Sequence, residues 1–432
     1  MKTRFLTVLT ITLTLAVVAL SGVLYWVLLT RTPTPTAPFR ADAPSLAQPG
    51  PYGAGTTTTS LPDAERPLDV WLWYPTAGEP QTESVHTYTS TFGVWASFGY
   101  AVPEAAPTTD GPFPLVVLSH GSGGTPLMHL NLVETLATHG YVVIATEHPG
   151  NYTLNQLQGE DTFDANLLEN YIRRPQDIVR LLDAAEQINV EQGNLLTGLI
   201  DMEQVAIAGH SFGGYTAFAA AGVPLNTDAL ADWCAANEDI TLADVREPFA
   251  YPAAAADESL GNGTCYLLPD VPQIAQFAGY DTPPSGAWDS LGDERIDAIV
   301  AFAPWNAPIF GEQSLNTLQK PLLVFVGSAD IATEPERDAD NFYAWTDSDQ
   351  KALVTFRNGD HYLYLDECPP LLTNLDYQAS CTDSVWDLTR AHDITNHLTV
   401  SFLHATFADD EAAAANLPDA DFLGVSIQTE GF

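Results

Sequence analysis

Short apolar runs rich in β-branched residues alternate along this chain with longer stretches whose apolar residues recur every three or four positions. The runs "PLVVLSHG" (Pro114 to Gly121), "YVVIATEHPG" (Tyr141 to Gly150) and "VAIAGHS" (Val205 to Ser211) predict buried strands. So do "IDAIVAFAP" (Ile296 to Pro304) and "PLLVFVGSAD" (Pro321 to Asp330). Between them, "LNLVETLATHG" ends a predicted helix at Gly140, and "RRPQDIVRLLDAAEQI" (Arg173 to Ile188) predicts a second. Strand and helix in this alternating order predict an α/β fold: a mostly parallel central sheet with helices on both faces. Short loops then confine a functional site to the carboxyl ends of the strands.

Two regions break the rhythm. From about 224 to 295 the chain is mixed and rich in Ala, Asp and Pro, and is read as a cap-like insertion. At the N-terminus, Lys2 and Arg4 precede an uncharged run from Phe5 to Leu29, which as a helix would span about 37 Å against a hydrocarbon core of about 30 Å. Residues 1–31 are read as an uncleaved signal-anchor, with cleavage near Ala19-Leu20-Ser21 as the alternative. A Thr/Pro-rich tether over 32–50 follows, and 51–432 form one catalytic domain. Either outcome exports the body of the chain. It would face outward on a membrane if the anchor stays and be secreted if it is cut.

Charge narrows the partners. With 15 Lys+Arg against 55 Asp+Glu the 432-residue chain carries a formal charge of -40, which excludes nucleic acid as a natural partner. Screening of a surplus of carboxylates in a high-salt habitat accounts for the imbalance; an ordinary acidic exported protein accounts for it equally well. Four cysteines, Cys234, Cys265, Cys368 and Cys381, fit an oxidising compartment, and sequence alone permits three pairings. No C-x-x-C spacing supports a structural zinc site.

The chemistry concentrates in "VAIAGHSFGGYTAFAAAG". Gly209-His210-Ser211-Phe212-Gly213 fits G-x-S-x-G at a predicted strand-to-helix corner, where a serine hydroxyl stands exposed above the sheet. A serine needs a base, and the base an orienting acid, in the chain order serine, acid, histidine. His361, in the loop after the strand-like "VTF", is the expected base. Asp330, ending "PLLVFVGSAD", is the expected acid, although capping a following helix is a common aspartate role. Asp360 is disfavoured because neighbouring side chains in extended backbone point apart. His392, His397 and His404 fall in a predicted helix as surface or packing residues. The backbone amides of Phe212 and of Ser122, in the turn "SHGSGG", are the expected oxyanion donors. Trp305 and Tyr215 are the expected lining of a substrate pocket. No metal or organic cofactor is required.

The stretches "LVVLSHGSGG", "LATHGYVVIATEHPGN", "GHSFGGYTA" and "AFAPWNAPIF" resemble the platelet-activating-factor acetylhydrolases and the bacterial dienelactone-hydrolase-like esterases of the α/β-hydrolase superfamily. The resemblance runs from about Gly50 to near Asp410. It implies a calcium-independent serine esterase acting through an acyl-enzyme on short-acyl small-molecule or lipid esters, polyester chains among the open alternatives. Two features depart from it. Dienelactone hydrolases use a cysteine nucleophile where this chain has Ser211. The animal acetylhydrolases carry their acid after the strand that here reads "IVAFAPW", where Ala303 and Pro304 stand. Rival readings are a membrane-tethered binding protein that lost the chemistry, and an acyltransferase or peptidase on the same fold.

Overall fold

The computed structural model describes residues 40–81, 83–89, 96–153, 155, 160–237, 264–367, 382–418 and 420–432. The strands in chain order are β1 (Gly53–Leu61), β2 (Leu68–Thr76), β3 (His86–Thr89), β4 (Ala96–Gly99), β5 (Val102–Pro103) and β6 (Phe113–Ser119). There follow β7 (Val142–Thr146), β8 (Ile200–His210), β9 (Ala298–Phe302), β10 (Leu322–Gly327), β11 (Lys351–Phe356) and β12 (Val425–Glu430). Ten of them form one sheet in the order β12-β11-β10-β9-β8-β6-β7-β2-β1-β5; β3 and β4 pair apart from it. From β7 through β6, β8, β9 and β10 to β11 every pairing is parallel, and antiparallel β2 and β12 flank that block. The mostly parallel sheet expected from the alternation is therefore present.

Five helices concern the site: α1 (Leu130–Thr138), α2 (Glu160–Val190), α3 (Phe212–Ala220), α4 (Thr227–Ala236) and α5 (Val271–Phe277). A sixth, α6 (Leu388–Ala408), contains His392, His397 and His404 as anticipated. Side chains alternate across each strand, so Leu115, Val117, Val205, Ile207 and Val324 pack with α2 and α3 on one face. Val116, Leu118, Ala206, Ala208 and Phe325 pack with α1 and α6 on the other. With apolar residues at both parities the sheet is dry on both sides, and each buried aliphatic side chain contributes about 1.5–3 kcal/mol.

The tether expectation needs correction where it can be seen. Residues 40–50 are docked on the domain: Arg40 lies 3.4 Å from Asp387, Leu46 N donates to His397 Nδ1 at 3.3 Å, and Gly50 N donates to Thr138 Oγ1 at 3.0 Å. Leu46 and Ala47 supply the apolar contact that a Thr/Pro composition hides. Cys234 and Cys265 form a disulfide across the insertion, Cα to Cα 5.8 Å, tying α4 to the segment leading into α5. The apolar run Phe5 to Leu29, the first part of the tether, residues 238–263 of the insertion, and Cys368 and Cys381 lie outside the described residues. Among the described residues no helix is long and apolar enough to cross a membrane.

Candidate active site

Strand β8 ends at His210 and α3 begins at Phe212, leaving Ser211 to make the whole corner at φ 56, ψ -119. A non-glycine residue there is strained, and the surroundings hold it in place. Ser211 N donates to Phe302 O at 2.9 Å, while Ser211 O accepts from Gly214 N at 2.8 Å and Trp305 N at 3.1 Å. The flanking glycines are required by close approach. A Cβ on Gly209 would overlap the Gly213 carbonyl, one on Gly213 would overlap the Ser119 carbonyl, and one on Gly214 would come within 2.6 Å of Pro304 Cα. Ser211 is half-buried, and among the described residues its hydroxyl has no hydrogen-bond partner.

His361 sits in the turn after β11, with Nδ1 2.8 Å from Asp330 Oδ2. A nitrogen facing a carboxylate carries the proton, so Nε2 keeps its lone pair. Asp330 faces the imidazole but caps no helix: residues 331–338 are bends and turns, and the next helix begins only at Ala339, behind Asp338. Oδ1 accepts from the amides of Ala332 (2.9 Å) and Thr333 (2.8 Å), fixing the carboxylate, while Oδ2 faces the imidazole. Thr333 is a member of the site that the sequence reading lacks: its hydroxyl donates to Asp330 Oδ2 at 2.7 Å, and the D-x-x-T spacing is the only trace of it in sequence. Asp360 accepts from Tyr362 N, and burial first, then the nearby Asp383 carboxylate, raise its pKa to about 7. It does not meet the ring of its neighbour.

His210 ties the two halves together. Its Nε2 donates to His361 O at 2.9 Å, and the two rings stand 4.8 Å apart. Burial first, then the nearby imidazoles of His361 and His129, push the His210 pKa well below its ordinary value, so the ring is neutral. The turn after β6 closes over the same place. A Cβ on Gly121 would come 2.9 Å from His210 Nδ1 and 3.4 Å from Ser211 Cβ. Phe212 N leads a helix and so has no intrahelical acceptor. Ser122 N makes no hydrogen bond among the described residues, and Ser122 Oγ accepts from Asn151 Nδ2 at 3.0 Å.

The two pocket expectations part company. Trp305 is half-buried beside Ser211, its Nε1 donating to Tyr171 Oη at 2.9 Å and its ring 4.9 Å beneath the Arg337 guanidinium. Tyr215 is fully buried in the core and lines no cleft. The reason lies in α2. Pro175 has no N–H for the Tyr171 carbonyl four residues earlier, and the Tyr215 hydroxyl donates to that carbonyl instead, at 2.8 Å.

A chlorophyllase family model matches residues 95–231. Among solved structures, a ferulic acid esterase from Streptomyces cinnamoneus is similar at a TM-score of 0.53, covering 90% of this chain and 98% of that one at 19% identity. With the sheet order above, that decides the architecture. The chain has the α/β-hydrolase fold. In an α/β-hydrolase, the β8–α3 corner, the turn after β6 and the loops after β10 and β11 all open at the carboxyl end of the sheet, which is where Ser211, Ser122, Asp330 and His361 lie.

Proposed function

We propose that this chain is a serine carboxylic-ester hydrolase. The observation that carries the reading is the His361 Nδ1–Asp330 Oδ2 hydrogen bond of 2.8 Å, at the same sheet edge as a serine strained to φ 56. The chlorophyllase match and the ferulic acid esterase neighbour support ester chemistry, and the disulfide supports an exported protein.

In this reading Asp330 holds the proton of His361 on Nδ1, and Nε2 takes the Ser211 proton as Oγ attacks the ester carbonyl. The C–O double bond opens to a tetrahedral oxyanion, which the amides of Phe212 and Ser122 receive. Collapse breaks the bond to the leaving alcohol, which departs with the proton from Nε2. Water then enters by the same route, giving its proton to Nε2 and its oxygen to the acyl carbon, and Ser211 is regenerated. The missing hydroxyl–imidazole hydrogen bond is one that forms on substrate binding.

The substrates proposed are short-acyl esters, phospholipid-like ones included. Nitrophenyl esters of increasing chain length, assayed beside a feruloyl ester and an anilide, test this. Turnover falling with acyl length and absent on the anilide is expected. Preference for the feruloyl ester overturns the short-acyl assignment, and failure of a fluorophosphonate to label Ser211 in folded protein overturns the hydrolase.

A further inference from the structure

Arg174 is a fully buried guanidinium in a chain with few cations, and no carboxylate ion-pairs with it among the described residues. Burying an unpaired charge is expensive, so its surroundings must explain it. All its acceptors are neutral: Nη1 donates to Asn151 Oδ1 at 2.9 Å, and Nη2 donates to Ser119 Oγ at 3.1 Å and to the His120 carbonyl. Ser119 and His120 open the turn that carries Ser122. Asn151, its oxygen engaged by Arg174, necessarily turns its amide nitrogen to Ser122 Oγ. On its other side the guanidinium lies 4.9 Å from the centroid of the Phe212 ring.

The acceptors are themselves polarised in one direction. Asp177 Oδ2 accepts from His148 Nδ1 at 2.9 Å, so His148 Nε2 is the acceptor for the Ser119 hydroxyl at 3.0 Å. That leaves the Ser119 oxygen lone pairs facing Arg174. Asp177 is already committed to Arg66, at 2.7 and 2.8 Å, and lies 3.6 Å from Arg180. Burial, the largest effect, lowers the Arg174 pKa to about 9, and the group is still a cation at neutral pH.

We propose that Arg174 is the positioning residue of the oxyanion site: it fixes Ser122 through Asn151, backs Phe212, and keeps a buried positive charge that no carboxylate contacts and that Asp177, shared with Arg66 and Arg180, offsets only at longer range, so that it responds when negative charge develops on the substrate. This rests on the ester-hydrolase reading above. An ion pair that would satisfy Arg174 in the resting protein would spend this charge before the reaction starts. The arrangement therefore trades stability of the free enzyme for stabilisation of the transition state.

The decisive variant is Asn151→Asp, which hands Arg174 a carboxylate in place of a neutral acceptor at nearly unchanged volume. It is expected to hold or raise Tm, and to lower kcat per titrated active site about 10- to 100-fold with KM within about 2-fold, less than the roughly 10²–10³ typical of losing an oxyanion donor. Affinity for an alkylboronic acid, a mimic of the tetrahedral adduct, should fall by the same factor. Arg174→Lys, which keeps the charge, should recover part of what Arg174→Gln loses. If Asn151→Asp keeps wild-type kcat and boronate affinity while Ser211→Ala is dead, Arg174 is structural and the proposal fails alone. If Ser211→Ala retains turnover, the hydrolase reading fails first. Should Asn151→Asp not fold, the Lys and Gln pair at position 174 decides between the same alternatives: a higher kcat with Lys upholds the proposal, and equal kcat in both overturns it.

Discussion

Among the described residues, two serine–histidine–aspartate groupings differ in burial and backbone strain. At the β8–α3 corner, Ser211 is strained, half-exposed and unpartnered among the described residues, at the same end of the sheet as the His361–Asp330 pair. Beneath the turn after β6, Ser119, His148 and Asp177 form a continuous hydrogen-bonded chain of 3.0 and 2.9 Å. All three are fully buried, and Arg174 occupies the hydroxyl oxygen. The buried chain is the better formed of the two by distance alone. Its serine is nevertheless fully buried and its oxygen already accepts from Arg174, so residue types and spacing do not make a reactive site. Backbone strain, exposure and an unengaged oxygen set Ser211 apart.

The largest expected effect breaks the comparison outright. Ser211→Ala should lower kcat about 10⁴–10⁶-fold and abolish fluorophosphonate labelling with little change in Tm. Ser119→Ala should keep the label on Ser211. It removes the partner of buried His148 Nε2 and one of the two acceptors of Arg174 Nη2, and should destabilise by about 1–3 kcal/mol in urea unfolding. Labelled protein from Ser211→Ala, or none from a folded Ser119→Ala, would reverse the two assignments.

The aspartates sharpen it next. Asp330→Asn leaves the geometry but loses the tautomer that presents Nε2, and should lower kcat about 10³–10⁴-fold. Asp177→Asn should act on the other axis. Arg66 and Arg180 then lose their shared carboxylate, and stability should fall by about 3–5 kcal/mol while the remaining folded enzyme titrates with intact active sites. Equal stability loss in the two variants would show that the two carboxylates do the same job.

Much of this division is invisible in the sequence for identifiable reasons. The β8–α3 corner is legible because the glycines, the strand and the helix are contiguous, and Asp330 and His361 each end a strand run. The buried chain draws on Ser119, His148 and Asp177 from three separate elements, and no local pattern joins them. Tyr215 reads as a pocket residue from its place after the serine; its true partner is set by a missing N–H at Pro175, forty residues upstream in the chain. Residues 40–50 read as tether because composition weighs their prolines and not the two side chains, Leu46 and Ala47, that dock them. The fold was legible, and so were the site's strand ends. The network beneath the turn was not.

Acid should separate the two groupings less sharply. Burial drives the pKa of His120, His148 and His210 well below 6.5 and that of His129 to about 3. A group depressed on folding stabilises above its unfolded pKa, and that stability is lost as pH falls through the window below it. Each such histidine therefore removes stability as pH falls below 6.5. Glu134 and Asp360, raised chiefly by burial to about 7, and Asp366 and Asp393, raised to about 6, work the other way, but His139, His392 and His397, each lowered by burial to about 4, add to the loss. Net stability should fall over this window while His148 stays neutral in the fold and keeps its hydrogen bond from Ser119. An unfolding midpoint that is flat or rises from pH 7 to pH 5 would mean these rings are not held neutral.

Salt should give the smallest effect and act on the surface alone. The carboxylate surplus behind the charge of -40 repels itself across exposed positions, and sodium chloride screens it within about 10 Å at 0.1 M and 3 Å at 1 M. Tm should climb by a few degrees, on the order of 1 kcal/mol of relief, before screening saturates. The buried cluster of Arg174, Ser119, His148 and Asp177 is dry and lies beyond the reach of counterions. kcat per active site should accordingly stay level while Tm rises. A kcat that follows Tm with added salt would place the functional charge on the surface, and would take from Arg174 the part assigned to it.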